Sequence, residues 1–108
     1  TCLLLYPSNV WSKIQSKIND LPSFNKNARR IQRLLIGHAE DIDVDSTGRI
    51  LISKPLREYA NLTKKIIFIG QGEKFEIWDQ GLWNQNVDKW RREVTSNDDA
   101  QALNDISI

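Results

Sequence analysis

The segment Asp-Ser-Thr-Gly-Arg-Ile-Leu-Ile, which spans residues 45–52, decides the fold that this sequence predicts. Asp45 suits the first position of a β-turn, and Gly48 can adopt a positive φ at the end of the loop. Apolar residues lie on both sides of the turn, at positions 42 and 44 before it and from position 50 after it. The pattern therefore predicts a β-hairpin over residues 42–52.

Asp45 and Arg49 place a carboxylate and a guanidinium across this one tight turn. In one interpretation they form a local ion pair that holds the hairpin together, which contributes little at a surface. In the other, Asp45 orients Arg49 so that its planar fork reaches outward. Such a fork matches the O6 and N7 acceptors of guanine in the major groove. The residues alone leave both interpretations open.

The residues after the hairpin predict a short helix, a second hairpin and a last helix. Pro55 begins the short helix. A continuous apolar strand over residues 66–69 turns back through Gly70–Glu73 into an alternating strand over residues 74–78. Asp79 is expected to cap the last helix. The apolar positions of the two helices are Leu56, Tyr59 and Ala60 in the first, and Leu82, Trp83, Val87 and Trp90 in the second.

The residues before the hairpin predict a buried strand and two helices. Residues 2–6 form the strand, and Pro7 ends it. Ser8 or Asn9 can cap the first helix, which is broken at Leu21–Ser23. The second helix runs over about residues 25–38 and is amphipathic. Its apolar face carries Ile31, Leu34 and Leu35, and its basic face carries Lys26, Arg29, Arg30 and Arg33.

The basic face of the second helix has two interpretations. It is either a solvated surface or a set of phosphate contacts, for which Arg29, Arg30 and Arg33 are the candidates. The formal net charge of the chain is only +1, but all 15 Lys and Arg residues precede position 93. Against 11 acidic residues in the same part, they give residues 1–94 a charge of +4. This charge permits nucleic-acid binding without requiring it.

An internal repeat relates the two ends of the chain. Leu5–Trp11 parallels Ile77–Trp83 at an offset of 72 residues. In both places a strand ends, a helix is capped and a tryptophan follows one turn later. If residues 40–92 are one complete unit, residues 2–21 are the end of an earlier copy. The same offset predicts roughly 32 residues before Thr1, so the chain is expected to be truncated at its N-terminus.

The motifs of metal and nucleotide binding are incomplete. Acidic residues alternate over positions 41–45 as in a calcium loop, but Ser46 and Ile52 stand where that loop requires glycine and a bidentate glutamate. The Gly-x-Gly at positions 70–72 lacks the third glycine of a nucleotide-binding loop. His38 is the single histidine and has no second ligand beside it. The sequence therefore predicts no metal, no cofactor and no small-molecule substrate.

The remaining composition argues against an enzyme and against a membrane protein. Cys2, the single cysteine, has no histidine partner and suits a reducing compartment. The sequence has no apolar run near 18 residues and no recognisable signal peptide. The 40% of hydrophobic residues is enough to bury the core of one small domain. These features predict a non-enzymatic cytoplasmic protein without a membrane partner.

Three stretches resemble conserved blocks of the MraZ family. They are Gln-Arg-Leu-Leu-Ile-Gly-His-Ala at residues 32–39, the block from Asp45 to Ala60, and Ile-Gly-Gln-Gly-Glu-Lys-Phe-Glu-Ile-Trp-Asp at residues 69–79. The match runs in register from residue 2 to about residue 90. The resemblance implies a bacterial, nucleoid-associated transcriptional regulator of the division and cell-wall gene cluster. It also implies ring-like homo-oligomers that bind repeated G-rich boxes in double-stranded DNA.

The resemblance also implies a fold of the α+β class, built from AbrB/MazE-like swapped-hairpin β-barrel modules with flanking helices. Intertwined hairpins would bury the strand over residues 66–69 on both faces. The chain would then hold the end of a first module and a complete second one. The corresponding divisions are residues 1–11 for the first module's remnant, 12–39 for a helical linker pair, 40–83 for the second module, 84–94 for a C-terminal helix and 95–108 for a disordered acidic tail.

The DNA-binding motif of the family, Asp-x-x-x-Arg, maps onto Asp45 and Arg49 in this sequence. Lys54 and Arg57, in the same block, are assigned to the DNA-binding set. The motif of the first module is absent from this chain. Two alternatives remain open: an antitoxin-like protein of the same fold that binds a toxin, and a purely structural oligomer.

Residues 95–108 are predicted to contribute little to folding, since they lack periodicity. We expect their deletion to change the free energy of unfolding by no more than about 0.5 kcal/mol in a thermal melt. Loss of Asp98, Asp99 and Asp105 should slightly tighten non-specific DNA binding. A large fall in melting temperature would show that this segment packs against the rest of the chain.

Overall fold

The computed structural model describes residues 1–94 of the chain and has an α+β fold, as predicted. Three strands form one antiparallel sheet in the order β1-β3-β2. The tail predicted at residues 95–108 lies outside the described residues. The elements are β1 (Leu3–Leu5), α1 (Ser8–Asn19), α2 (Lys26–Leu35), α3 (Lys54–Tyr59), β2 (Ile66–Gln71), β3 (Lys74–Asp79) and α4 (Gln80–Val94).

Strands β2 and β3 form the predicted second hairpin. Their register runs from Ile66 opposite Asp79 to Gln71 opposite Lys74, so the loop contains only Gly72 and Glu73. Gly72 has a φ of +69°, the left-handed value that the first central residue of a type II′ turn requires. This turn matches the twist of the two strands and fixes their register.

The centre of the sheet is buried on one face by the segment around α3. Leu3 on β1 and Ile77 on β3 lie opposite each other and pack with Ala60, which is completely buried at the end of α3. Burial of a leucine or isoleucine side chain stabilises a fold by about 1.5–3 kcal/mol. The residues packed around this centre are Leu5, Ile50, Ile52, Leu56 and Leu62.

The other face of the sheet is covered by α4 through a cluster of three tryptophans. The ring of Trp78 on β3 lies 5.8 Å from that of Trp83 and 5.7 Å from that of Trp90, in edge-to-face geometry. Trp83 and Trp90 contact each other at 5.6 Å. The indole Nε1 of Trp78 donates a hydrogen bond of 3.1 Å to Glu76 Oε1. These contacts fix α4 on the sheet.

Asp79 joins β3, α4 and the loop before β2, and confirms the predicted cap. Its Oδ2 accepts a hydrogen bond of 3.3 Å from the backbone N–H of Leu82. Its Oδ1 accepts one of 3.1 Å from the N–H of Thr63 and another from the Thr63 hydroxyl. The hydroxyl of Thr63, followed by the backbone N–H groups, lowers the pKa of Asp79 below its usual value. Asp79 is therefore a buried, ionised carboxylate that connects the start of α4 to the loop before β2.

Strand β2 exposes alternate side chains instead of burying both faces. Ile66 and Phe68 are 45% and 49% exposed, whereas Ile67 and Ile69 are half-buried on the face that α4 covers. Within one chain residues 66–69 are therefore covered on one face only, and their burial on both faces by intertwined hairpins stays a prediction. The physical reason is that β2 is an edge strand, and α4 shields only one of its faces. Phe68 instead stacks on Phe75, with ring centroids 4.6 Å apart.

Helix α1 begins directly after Pro7 and has no side-chain cap. The carbonyl of Pro7 accepts hydrogen bonds from the N–H groups of Val10 and Trp11, at 3.1 and 2.9 Å. Ser8 and Asn9 already lie inside the helix, so the prediction that one of them caps it is wrong. Pro7 takes the extended conformation of the capping position itself, with φ −58° and ψ 144°.

Helices α1 and α2 contact each other and are joined by residues 20–25. The side chain of Asn25 caps α2 by accepting hydrogen bonds from the N–H groups of Asn27 and Ala28, at 2.9 and 3.2 Å. Gln32 Nε2 donates one of 3.0 Å to the carbonyl of Ile18 on α1. The helix ends at Leu35, three residues before the predicted end, and residues 36–38 form a turn.

The two segments predicted to be repeats pair with each other in a symmetric register. Leu4 lies opposite Glu76, with Leu3 opposite Ile77 and Leu5 opposite Phe75. The repeat offset of 72 residues makes Glu76 the counterpart of Leu4 and makes Ile77 the counterpart of Leu5. Leu3 thus faces the counterpart of Leu5, and Leu5 faces the counterpart of Leu3. This is the pairing that a twofold axis between Leu4 and Glu76 would produce.

Candidate nucleic-acid interface

The turn at residues 45–49 forms as predicted, but the strands predicted beside it do not. The N–H of Asp45 donates to the carbonyl of Arg49 at 2.9 Å, and the N–H of Gly48 donates to the carbonyl of Asp45 at 3.1 Å. Gly48 takes the expected positive φ, +83°. Residues 42–44 and 50–52 adopt no strand in the described structure. An isolated two-stranded ribbon is marginal in water, and no third strand of residues 1–94 pairs with this arm.

The carboxylate of Asp45 organises the turn. Its Oδ1 accepts hydrogen bonds from the N–H and hydroxyl of Thr47, at 2.9 and 2.8 Å, and from the N–H of Arg49 at 2.8 Å. Its Oδ2 accepts one of 2.9 Å from Arg49 Nε. The backbone N–H of Arg49 and then the hydroxyl of Thr47 hold the pKa of Asp45 below its usual value. The carboxylate is therefore ionised, and the ion pair formed, throughout the neutral range.

Arg49 is held at one edge and open at the other. Its side chain is 79% exposed, and only its Nε contacts Asp45. Among the described residues nothing bonds to the two terminal nitrogens, Nη1 and Nη2. A bidentate contact with a planar acceptor pair must therefore use these two nitrogens, end-on. The ion pair of the first interpretation forms, and base reading by the exposed terminal nitrogens stays a prediction.

Lys54 and Arg57 lie on α3, close in sequence to the turn but not bonded to it. Lys54 Nζ lies 3.8 Å from Glu58 Oε1, in an exposed ion pair along the helix. Arg57 is exposed. In the described residues no hydrogen bond or ion pair joins either side chain to Asp45 or Arg49. The structure thus brings together two of the four residues assigned to DNA binding and places the other two on a neighbouring helix.

The basic face of α2 surrounds an open pocket of about 310 Å³. Arg29 Nη1 donates a hydrogen bond of 2.8 Å to the carbonyl of Ser23, which fixes this side chain against the start of the helix. The structure therefore gathers the predicted phosphate contacts on one surface. The residues lining the pocket are Lys26, Arg29, Arg30, Arg33 and Leu34.

The acidic residues before the turn line a second open pocket, of about 290 Å³, together with Leu51 and Ser53. Ser53 Oγ donates a hydrogen bond to Glu40 Oε2 in its wall. Asp45, the third acidic residue of the calcium-like pattern, uses both carboxylate oxygens within its own turn. Residues 1–94 contain no group of three or more His, Cys, Asp or Glu side chains placed to hold a metal ion.

Sequence reasoning missed Thr47 and Thr63, which position the two structured carboxylates. Thr47 donates through both its N–H and its hydroxyl to Asp45, and Thr63 does the same to Asp79. For Thr47 a signal was present, because an Asp two residues before a Thr favours this local turn. For Thr63 none was available, because 16 residues separate it from Asp79.

The charged groups described above thus lie on an exposed turn and on an open helix face of a small α+β fold. No helix among residues 1–94 has the length and apolar character needed to cross a membrane. Residues 35–106 match the family model for the MraZ protein, whose description adds "antitoxin-like". The chain belongs to the MraZ family, as the resemblance predicted.

Relatives in this family carry the name "Transcriptional regulator MraZ". The one from Legionella pneumophila strain Corby is 52% identical over 96 residues, which cover 89% of this chain and 63% of that protein. The Nitrosomonas europaea relative is 52% identical over 87 residues, 81% of this chain and 59% of that protein. The relative from Marinomonas sp. strain MWYL1 is 48% identical over 108 residues, which cover 99% of this chain and 72% of that protein. The chain thus spans about three fifths of the length of the first two relatives.

Proposed function

We propose that this chain is the DNA-binding part of a transcriptional regulator that recognises repeated G-rich boxes in double-stranded DNA. The observation that carries the proposal is the held guanidinium of Arg49, with Nε on Asp45 and with Nη1 and Nη2 free to reach outward. Arginine bidentate to O6 and N7 of guanine is the commonest specific contact in the major groove. The names of the relatives support the same role.

Preorganisation is what Asp45 adds to this contact. A free arginine loses the freedom of several side-chain torsions when it binds a base. Here Asp45 already fixes the Nε edge through a 2.9 Å bond. The fork is thus oriented before DNA arrives. Lys54 and Arg57, exposed on α3, supply phosphate contacts beside the base-reading turn in this proposal.

The assembly belongs to the same proposal. We infer a homo-oligomer of AbrB-like swapped-hairpin modules, in a ring, in the cytoplasm and on the nucleoid. The unpaired arms at residues 42–44 and 50–52 offer free backbone groups to the hairpin of another chain. Phe68 and Phe75 leave an apolar patch of the sheet exposed, at 49% and 41%. The symmetric pairing of β1 with β3 supports a tandem pair of modules.

Repetition suits the inferred target, the boxes upstream of a division and cell-wall gene cluster. One arginine contact distinguishes a base by only about 1–3 kcal/mol. Linked subunits raise the effective concentration of each further turn at the next box, so several weak contacts add to one selective complex. The affinity for a duplex should accordingly rise more steeply than in proportion to its number of boxes.

The test is a fluorescence-anisotropy titration of the 108-residue chain. It compares duplexes with one, two and three G-rich boxes with scrambled duplexes of equal length and composition. We expect a preference of on the order of tenfold for one box, as one arginine contact provides, and a larger preference for the three-box duplex. Equal affinity for boxed and scrambled duplexes at every box number would contradict the proposal.

The description of the family model favours a second candidate, a toxin-binding antitoxin. A toxin-binding arm would be sought in residues 95–108, which are outside the described structure. Deletion of that segment separates the two candidates. A regulator that reads DNA through Arg49 keeps its preference for boxed duplexes, whereas an antitoxin loses the ability to neutralise its partner in a growth assay.

A further inference from the structure

The α2 slot, defined by Lys26, Arg29, Arg30, Arg33 and Leu34, concentrates positive charge on one face of a helix. The four cations are spaced at helical intervals of three and four residues, so they lie in one stripe. At a rise of 1.5 Å per residue, the stripe from the first cation to the last is roughly 10 Å long. Helix α2 carries no acidic residue at all.

This arrangement disfavours the helix unless an anion is present. Lys26 and Arg30 are four residues apart, as are Arg29 and Arg33, and like charges at this spacing destabilise a helix. Lys26 also stands at the N-terminal end, where the helix dipole disfavours a cation. None of these four side chains has a carboxylate within ion-pair distance in the described residues. By contrast, Lys54, Lys89 and Arg91 each have a carboxylate within ion-pair distance.

The slot is held in place by contacts that leave three of its cations available. Arg29 is fixed by its bond to the carbonyl of Ser23 and forms the wall of the pocket. The Asn25 cap and the bond from Gln32 to Ile18 anchor the helix itself. Lys26, Arg30 and Arg33 are exposed and reach into solvent beside that wall.

The shape of the slot suits a polymer of phosphates. Each strand of a DNA duplex carries one phosphate per roughly 3.4 Å of helix axis, so a stripe of roughly 10 Å is long enough to contact more than one phosphate. The pocket is open to solvent, and Leu34 is the one apolar residue among those that line it. It has neither the enclosure nor the directional polar groups that a small ligand requires.

We propose that the α2 slot is a second nucleic-acid surface, which binds the phosphodiester backbone through Lys26, Arg30 and Arg33 while the turn of Arg49 reads bases. This inference rests on the proposed function for its duplex partner, but not on the assignment of Arg49. The slot supplies affinity for any sequence, and the turn supplies the preference.

The test is the salt dependence of duplex binding by a Lys26→Ala, Arg30→Ala, Arg33→Ala triple variant. A Lys13→Ala, Lys17→Ala, Lys64→Ala variant is the control, because it removes three exposed lysines elsewhere. Dissociation constants are measured from about 50 to about 200 mM KCl, for boxed and for scrambled duplexes. For the α2 variant we expect the slope of log K against log salt to shrink by about 2–3. Both duplexes should weaken by the same factor. The control slope should change by less than about 1.

Several outcomes would overturn the proposal. One is an α2 variant with the wild-type slope or with the slope of the control. Another is a loss of preference for boxed duplexes without a change of slope. A third is a chain that binds sodium tripolyphosphate in calorimetry but no duplex, which would mark the slot as a site for free phosphates. An Arg30→Lys, Arg33→Lys variant keeps the charge and should keep the slope, and circular dichroism verifies that each variant is helical.

The failure of this inference is distinguishable from that of the proposed function. A wild-type chain that binds boxed and scrambled duplexes equally, with a slope that falls in the α2 variant, supports the slot and contradicts G-box recognition. In the opposite case, the wild type prefers boxed duplexes, Arg49→Ala removes this preference, and the α2 variant keeps the wild-type slope. That result supports G-box recognition and contradicts the α2 slot. A chain that binds no duplex overturns both.

Discussion

Replacing Arg49 with alanine is expected to abolish the preference for G-rich repeats and to leave the fold unchanged. The side chain is 79% exposed and packs in no core, so its removal costs little stability. What it removes is the bidentate donor pair at Nη1 and Nη2. A lost contact of this kind reduces discrimination on the order of 10- to 100-fold at each box. Linked sites multiply that loss.

Two further variants distinguish the loss of base recognition from the loss of a positive charge. Arg49→Lys keeps the charge but lacks the fork, so it should restore affinity for all duplexes and only part of the preference. Arg30→Ala removes a cation away from the turn and should weaken boxed and scrambled duplexes alike. The measurement is the ratio of the two dissociation constants for each variant. If Arg49→Ala keeps the wild-type ratio, Arg49 only stabilises the turn, and the site assignment is wrong.

Replacing Asp79 with alanine is expected to cause the largest loss of stability among the single changes considered. The substitution removes the acceptor of two bonds from Thr63 and the cap of α4 at once. It also leaves donors unpaired beside a position that is only 8% exposed. We expect the melting temperature to fall by roughly 10 °C or more. Asp88→Ala, an exposed carboxylate on α4 in a long ion pair with Arg91, is the control and should change it little.

Acid should unfold the wild-type chain partly through the same group. The pKa of Asp79 is lower in the fold than in the unfolded chain. Its ionised form therefore contributes stability above the ordinary pKa of an aspartate, and this contribution is lost as the pH falls through the lowered value. Between about pH 6 and about pH 3 the wild type should lose more stability than Asp79→Ala, in denaturant titrations at each pH. Parallel pH profiles would show that Asp79 is not a stabilising carboxylate.

The parts of this molecule that local chemistry determines could be predicted from the sequence. The turn at residues 45–49, the two-residue turn at Gly72 and the Asp79 cap all depend on neighbours within four residues. The first and the last were predicted correctly, with Arg49 placed at an exposed end, whereas the turn at Gly72 is two residues shorter than the predicted turn over residues 70–73. The cap of α1 was not, because Pro7 meets the backbone requirement without a side chain.

The features that the sequence could not give depend on distant partners. Whether residues 42–44 and 50–52 form strands depends on a third strand to pair with, which no local pattern encodes. The apolar run at residues 66–69 has the composition of a strand buried on both faces, but only α4 covers it here. The contact between Thr63 and Asp79, 16 residues apart, likewise appears only when the chain is folded.

The symmetric register of β1 and β3 bears on which residues can face each other in such a chain. In a dimer of identical units paired about the same point, Glu76 would face another Glu76, and like charges directly opposite each other destabilise a sheet. In this chain Leu4 occupies the facing position. In the proposed tandem pair of modules the two halves need not be identical, so one can lack the charge while the other keeps Glu76 as the acceptor for Trp78. A tandem chain of the proposed kind can thus hold facing pairs of unlike residues, such as Leu4 and Glu76, that a dimer of identical units cannot.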